Sequence, residues 1–481
     1  MRILLKDLLL EGALESAAED FLKQSIRGTQ WDGKVFAAGG YVRDQIIGRD
    51  AKDLDILVDY PNGGIEFAKW LTKKVGNFKE GSNPVVFERF GTSKFNLNGV
   101  THNGIDLTGF EIEAVMPRSE KYTAGSRKPD VQLSTLKGDA ERRDLTFNSL
   151  FKNLSTGEIL DLTGKGVDDL KTGTIRTPLD PDSTFKDDPL RMLRVVRFYA
   201  KYNYEIPLNI IRALKRNAPQ IENISSERIQ DELNKMLVTT QPDKALKLLK
   251  IVGLLGYIIP EFKDAYKMTQ NKHHVDTVFN HILKVVRGTP ADLVTRLQAL
   301  FHDLGKTKTR SVVDNEVHFY NHENIGADMT KEVLKRLKYP VDVIDAVVTG
   351  VKYHMRLKGS GKEGEVVSDK ALRKFAVDLG DHLNSTLNLM HSDNLAHSAA
   401  SVMPNQIPNI IKRIEQLKST IPTKGQKLPI SGDDLKSLGL KPGPLFAELL
   451  NLVKEKQLEN PNTTKEEYLD LIKNHLNSNI T

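Results

Sequence analysis

Over residues 4–27 apolar positions recur at helical spacing between charged ones, which predicts an opening amphipathic helix. From 34 to 150 the pattern shortens. The runs "KVFAAGG", "LDILVD", "PVVFERFG" and "FEIEAVMP" alternate with glycine-containing turns and one helical stretch near 64–75. That is the pattern of strands with few helices. After about residue 165 the strand signal fades. Helical spacing then predicts 187–203, 208–217, 225–238, 242–254, 275–287, 291–303, 323–338, 341–354, 369–397, 405–418, 432–439 and 443–456. The segment "RLKGSGKEGEVVSD" (356–369) reads as a Gly-rich charged loop, and 422–434 as a linker. The expected fold class is α+β: a head with a mixed β-sheet, then helical regions.

A chain of 481 residues exceeds one core. The expected division is 1–160, 161–265, 266–400 and 401–481. The sequence has no cysteine, which excludes disulfides, thiolate metal sites and a cysteine nucleophile and fits a reducing, cytoplasmic setting. Lys6, Asp7 and Glu11 interrupt the N-terminal apolar run, unlike a secretory signal. With no apolar run of about 18 residues, no membrane span is expected. A net charge of +6 permits a polyanionic partner such as nucleic acid.

The first chemical constellation is "AGGYVRDQIIGRDAKDLDILVD" (38–59). Asp53 and Asp55 alternate with Leu54 and Ile56, so both carboxylates leave one face of a strand. Two such charges repel, and a hard divalent cation such as Mg2+ compensates them while keeping positions open for phosphates. Gly39 and Gly40 allow close backbone approach, and Arg43 adds a cation. Taken alone, Asp-x-Asp is more often a solvated strand end next to a turn. With the glycines and Arg-Asp at this spacing, the segment resembles the signature of class II tRNA nucleotidyltransferases and bacterial poly(A) polymerases.

That resemblance implies Asp53 and Asp55 as catalytic metal ligands, with Gly39, Gly40 and Arg43 contacting or supporting the triphosphate. "FEIEAVMPRSEKY" (110–122) resembles the next strand, with Glu113 as a further acid and Arg118 in register. "ERRDLTFNSL" (141–150) resembles the family's ribose element, implying that Arg143, Asp144 and Asn148 select the 2′-hydroxyl. "FKDDPLRMLRVVRFYAKYNYEI" (185–206) resembles the base-reading helix, where Asp188 and Arg191 offer an acceptor and donors to C and A. Asp187 stands where the family has Glu. Arg191, Arg194, Arg197 and Lys201 share about a third of that helix's circumference. They suit nucleotide or RNA phosphates, although a solvated basic face looks the same. Arg228, in "ISSERIQDELNKML", resembles a neck residue near the nucleotide.

The second constellation is a histidine series: His281, His302-Asp303, His322, His354 and Asp393. A single histidine is ordinarily a surface or hydrogen-bonded residue. The ordered set resembles the HD phosphohydrolases. By that resemblance His281, His302, Asp303 and Asp393 hold a divalent transition metal (Ni2+, Mn2+, Co2+, Fe2+ or Zn2+), a choice that imidazole and carboxylate suit. His322 and His354 then serve a second metal or phosphate, and Lys306 a phosphate. His273, His274, His318, His391 and His397 fall outside the pattern and read as structural or surface residues.

Together these resemblances imply addition of C, C and A to the tRNA 3′ end from CTP and ATP. The HD part would add a 2′,3′-cyclic phosphodiesterase, 2′-nucleotidase or phosphatase activity. Poly(A) addition, A-only or CC-only addition, and an HD hydrolase with a degenerate RNA-binding head remain alternatives at this point.

Overall fold

The computed structural model describes residues 5–49, 54–75, 83–121, 130–270, 276–422 and 426–478. The chain divides into two compact units, residues 1–225 with 248–257, and residues 226–247 with 258–481.

The first unit is built on a seven-stranded mixed sheet. Across the sheet the strands run Ile159–Leu160, Phe151–Asn153, Val35–Ala38, Leu54–Val58, Glu111–Val115, Thr92–Asn96 and Val85–Phe87. Neighbours are antiparallel except Leu54–Val58 with Glu111–Val115, which is parallel. The central strand Val35–Ala38 is buried along its whole length, whereas Leu54–Val58 and Glu111–Val115 leave Asp55 and Glu111 exposed beside buried apolar residues. Phe36, Leu57, Ala140 and Phe151 form one buried cluster. Trp31 and Phe67 pack edge to face at 5.5 Å between ring centroids in another part of the same unit. The expected α+β head is present, with helical regions following it.

Several local expectations change. The helix expected at 187–203 is two helices, Pro181–Asp187 and Leu190–Tyr202. Asp188 is extended (φ −142°, ψ 101°) because the following Pro189 disfavours the helical conformation before it. Asp187 therefore ends one helix instead of starting the next. Strands Phe151–Asn153 and Ile159–Leu160 are too short to stand out from the pattern.

The second unit is mainly helical, and the helices Val278–Gly288, Leu293–Phe301, His322–Arg336, Val341–Tyr353 and Leu383–Leu395 carry buried residues of its core. Thr277, Asp292 and Ser368 cap helices by accepting backbone N–H bonds. The helix expected over 369–397 breaks into Asp369–Leu379 and Leu383–Leu395 at Gly380 (φ 50°, ψ −123°). This unit is not wholly helical. Arg310–Val313 and Glu316–Phe319 form a hairpin whose turn residues Asp314 and Asn315 have φ of 50° and 62°. Among the described residues, no helix is long and apolar enough to cross a membrane.

Candidate active sites

In the first unit the parallel register places Asp55 beside Glu113, and Glu113 beside Lys94. Residues opposite each other across a sheet share a face, so these three form one row. Lys94 Nζ lies 3.3 Å from Glu113 Oε2 and 3.2 Å from Glu111 Oε1. Asp55 is exposed, whereas its neighbours Leu54 and Ile56 are buried. Asp53 lies outside the described residues.

Gly39 leads from the strand Val35–Ala38 into the helix Gly40–Ile46 with φ 65° and ψ −119°. A side chain there would also meet Arg143 Nη1 at 3.0 Å. Arg143 donates to Asn148 O and Asp139 Oδ2 (3.2 and 3.0 Å). Asp139, fully buried, also accepts from Arg142 at 2.6 Å. Asp139 lies on the helix Leu136–Glu141, three and four residues before Arg142 and Arg143 at and beyond its end, a spacing readable in the sequence.

From Arg43 a continuous chain of polar contacts runs through the unit. The Arg43 guanidinium grips Asp44 with two bonds of 2.8 and 2.7 Å and donates to Asn148 Oδ1 at 2.7 Å. Asn148 Nδ2 donates to Asp144 Oδ1 at 3.1 Å, and Arg194 Nε donates to Asp144 Oδ2 at 2.6 Å. Tyr202 Oη closes the other end on Asp44 Oδ1 at 3.0 Å. The sequence-selected Arg43, Asp144, Asn148 and Arg194 are thus brought together. Burial pushes the Asp144 carboxyl up, but the Arg194 charge and the hydrogen bonds from Arg194 and Asn148 hold it below the ordinary carboxylate range.

Arg191 is buried and donates to Thr184 O at 3.1 Å and Arg142 O at 2.5 Å. Asp188 is half-buried and accepts from Leu190 N at 3.1 Å. Asp187 is exposed.

In the second unit all six expected histidines and aspartates converge and are buried. Two trios emerge, His281–His302–Asp393 and Asp303–His322–His354, each with ligand atoms within 4.8 Å of one another. Asp303 divides its oxygens between them. Oδ2 lies 3.3 Å from His302 Nε2, and Oδ1 lies 3.5 Å from His322 Nε2. Asp393 Oδ1 lies 2.9 Å from His281 Nε2. Gly305 permits the close approach, since any side chain there would collide with the backbone carbonyl of His322.

These residues fit a cation. His302, His322 and His354 each turn Nδ1 to a backbone carbonyl, of Ala299, Phe319 and Val351 (2.8, 2.8 and 2.6 Å). That bond places the proton on Nδ1 and leaves Nε2 as a lone pair, the arrangement of metal-binding imidazoles. His302 Nε2 is buried without a hydrogen-bond partner and faces carboxylate oxygens. His322 and His354 turn their Nε2 atoms toward each other at 3.3 Å. Lone pairs so opposed call for a positive charge between them. Burial, then the neighbouring His322 and His302, push His354 well below the ordinary imidazole value. Burial would raise Asp303, but His302 and Lys306 hold it well below the carboxylate range.

A cavity of about 490 Å3 opens over both trios. Lys306, Lys358 and Lys362 line it with His318 and His397. The last two, expected to be structural or surface residues, thus face the candidate site. His273 and His274 lie outside the described residues, and His391 is not part of the cavity lining. Lys358 carried no sequence signal, lying in the Gly-rich loop.

A nucleotidyltransferase head joined to an HD region is the class that these two sites and their order define. Accordingly, the family of the Poly A polymerase head domain matches residues 35–176, that of the probable RNA and SrmB-binding site of polymerase A matches 203–266, and the HD domain family matches 273–385. The multifunctional CCA protein of Azoarcus sp. is 30% identical over 331 residues, 67% of this chain and 73% of that protein. The CC-adding tRNA nucleotidyltransferase of Thermus thermophilus is 29% identical over 452 residues, 90% of this chain and 92% of that protein. The mitochondrial CCA tRNA nucleotidyltransferase of Saccharomyces cerevisiae is 35% identical over 253 residues, 51% of this chain and 46% of that protein. Among solved structures, the Bacillus stearothermophilus CCA-adding enzyme in complex with CTP has the same fold, with a TM-score of 0.67, 21% identity and 98% of each chain covered. The chain belongs to the family of CCA-adding tRNA nucleotidyltransferases.

Proposed function

We propose that this protein adds C, C and A to the 3′ end of tRNA from CTP and ATP, and that its HD region hydrolyses phosphate esters. Family membership together with the hydrogen-bonded chain from Arg43 through Asn148 and Asp144 to Arg194 carries the first reading. Asp53 and Asp55 would hold Mg2+, with Glu113 beside Asp55 in the sheet. A bound divalent ion supplies charge for the triphosphate and activation of the RNA 3′-hydroxyl. Gly39, Gly40 and Arg43 line or support the triphosphate side. Arg143, Asp144 and Asn148 hold the ribose, where buried polar groups would go unpaired without a 2′-hydroxyl. Asp188 accepts from the exocyclic amine that C and A share, and Arg191 donates to the ring nitrogen. The carbonyls of Thr184 and Arg142 hold Arg191 in one direction, the rigidity that reading a base edge requires. Asp187 lies next to this pair on the chain, and Arg194 steadies Asp144.

The test is incubation with tRNA lacking its 3′ end, with single nucleotides and mixtures. Ordered addition of C, C and A is expected. A long A tract would refute the reading, and arrest after two C residues would favour CC addition, the activity named for the Thermus relative.

The two buried trios, with Asp303 of one trio also facing His302 of the other, support the hydrolytic reading. Transition-metal ions there would polarise a phosphoryl oxygen and activate water. Release of phosphate from 2′-AMP or opening of a 2′,3′-cyclic nucleotide is expected, and retention of either activity in His302→Ala would show the assignment wrong. The absence of cysteine supports a cytoplasmic setting, to be checked by cell fractionation.

A further inference from the structure

Lys358 stands at the start of the Gly-rich loop that no motif explains. Its Nζ lies 2.6 Å from Asp393 Oδ2 and 3.3 Å from His397 Nε2. Asp393 offers its other oxygen, Oδ1, to His281. One carboxylate is therefore shared between a fixed cation and the histidine trio. Lys306 does the same at Asp303, at 2.7 Å from Oδ2, and is itself held by Gln270 Oε1 at 2.7 Å.

The loop holds Lys358 firmly. Leu357 is buried in the cluster with Leu372, Phe375 and Ile410. Beyond Lys358, Gln406 Nε2 donates to Gly361 O at 2.6 Å and Arg413 Nη1 to Gly364 O at 3.0 Å. Gln406 also accepts from Asn394, the residue after Asp393, at 2.8 Å. The loop and the helix bearing Asp393 are thus tied together, and the ammonium is presented to that carboxylate and to the cavity.

We propose that Lys358 is a built-in counter-charge: it weakens cation binding at His281–His302–Asp393 and turns its ammonium to the phosphate of the substrate once cations are in place. This rests on the reading that the two trios hold cations. The physical reason is direct. A positive charge on one oxygen of a buried carboxylate opposes a second cation on the other. When a dication displaces that need, the lysine faces a cavity that must hold a dianion.

The test uses the full chain and Mn2+ alone, by equilibrium dialysis, followed by inorganic phosphate binding to the Mn2+-loaded protein. Lys358→Met is expected to tighten the weaker Mn2+ site about tenfold and to weaken phosphate binding about tenfold. Lys358→Gln, which keeps a donor on Asp393 without the charge, is expected to move both values the same way even if the methionine variant folds poorly. Lys358→Arg and Lys362→Met are expected to leave Mn2+ affinity within about twofold of the wild type. Unchanged or weaker Mn2+ binding in Lys358→Gln would overturn the proposal. Failure of the wild type to bind Mn2+ at all would instead overturn the reading of the trios.

Discussion

Arg194 Nε donates to Asp144 Oδ2 across 2.6 Å, joining the helix Leu190–Tyr202 to the turn that follows Arg142 and Arg143. Asp144 is buried, so this bond and those from Asn148 and Leu145 hold a charge that water does not reach. Arg194→Ala leaves that carboxylate with hydrogen bonds from Asn148 and Leu145 but without its ion-pair partner, and a loss of about 3 kcal/mol is expected. Arg194→Ala with Asp144→Asn should recover part of it, because the charge goes with its partner. Urea unfolding of the single and double variants checks this, and equal losses in both would contradict it.

Asp139 yields a pH prediction. Burial raises its carboxyl, and the charges of Arg143 and Arg142 pull it below the ordinary value. A folded-state value below the unfolded one means stability that is present above the unfolded value and lost as pH falls through the folded one. The unfolded value is about 4. The advantage of wild type over Asp139→Asn should therefore be constant from neutral pH down to about 4, then shrink. Denaturation midpoints measured down the acid limb test the sign; an advantage that grows on acidification would exclude this account.

The divided carboxylate of Asp303 predicts metal stoichiometry. Its two oxygens face different histidine pairs, so two ions per chain are expected. His302→Ala should lose one and His322→Ala the other, whereas Asp303→Ala should weaken both. Mn2+ in excess should raise the unfolding temperature of the wild type, and by less in Asp303→Ala, since ligands of the native state stabilise it by mass action. A single ion unaffected by His322→Ala would leave His322 and His354 without this role.

How much of this could be read before the structure follows from how local each feature is. His302 and Asp303 are adjacent, and His281, His322, His354 and Asp393 stand in a fixed order around them along the chain, so the set that the structure brings together was visible. Its division was not, because which oxygen of Asp303 faces which histidine is a matter of side-chain torsions and helix packing that no residue order reports. The same holds in the head. The residues Arg43, Asp144, Asn148 and Arg194 were selected singly, but their chain of contacts spans sequence separations of up to 105 residues, which no periodicity reports. Helix ends failed where one residue decides: Pro189 and Gly380 each break a run that is otherwise helical in spacing. The hairpin 310–319 was hidden by its brevity and by the helices around it.

Asp55 and His302 lie in different units, and their chemistry should separate. Asp55→Ala is expected to reduce nucleotide incorporation on the order of 1,000-fold, because it removes a ligand for the charge that the triphosphate requires. It should leave phosphate release from 2′-AMP within about twofold. His302→Ala should do the reverse. Parallel loss of both activities in either variant would indicate one site instead of two.

Gly39 and Gly40 stand side by side yet should respond differently to alanine. Gly39 has φ 65° and ψ −119°, a conformation that a side chain disfavours, and an added Cβ would lie 3.0 Å from Arg143 Nη1. Gly40→Ala meets only Arg43 Nη2 at 3.6 Å, an ordinary contact, and Gly40 begins a helix, where alanine is preferred. Gly39→Ala is therefore expected to cost about 1–3 kcal/mol through backbone strain. It should also displace Arg143 from Asn148 O, lowering discrimination between ribo- and deoxynucleotides. Gly40→Ala should stay within about 0.5 kcal/mol of wild type in stability. If Gly40→Ala nevertheless abolishes incorporation while folding normally, its missing side chain serves the triphosphate and not the fold. If Gly39→Ala is as stable as wild type, the strained turn is not what holds Arg143 in place.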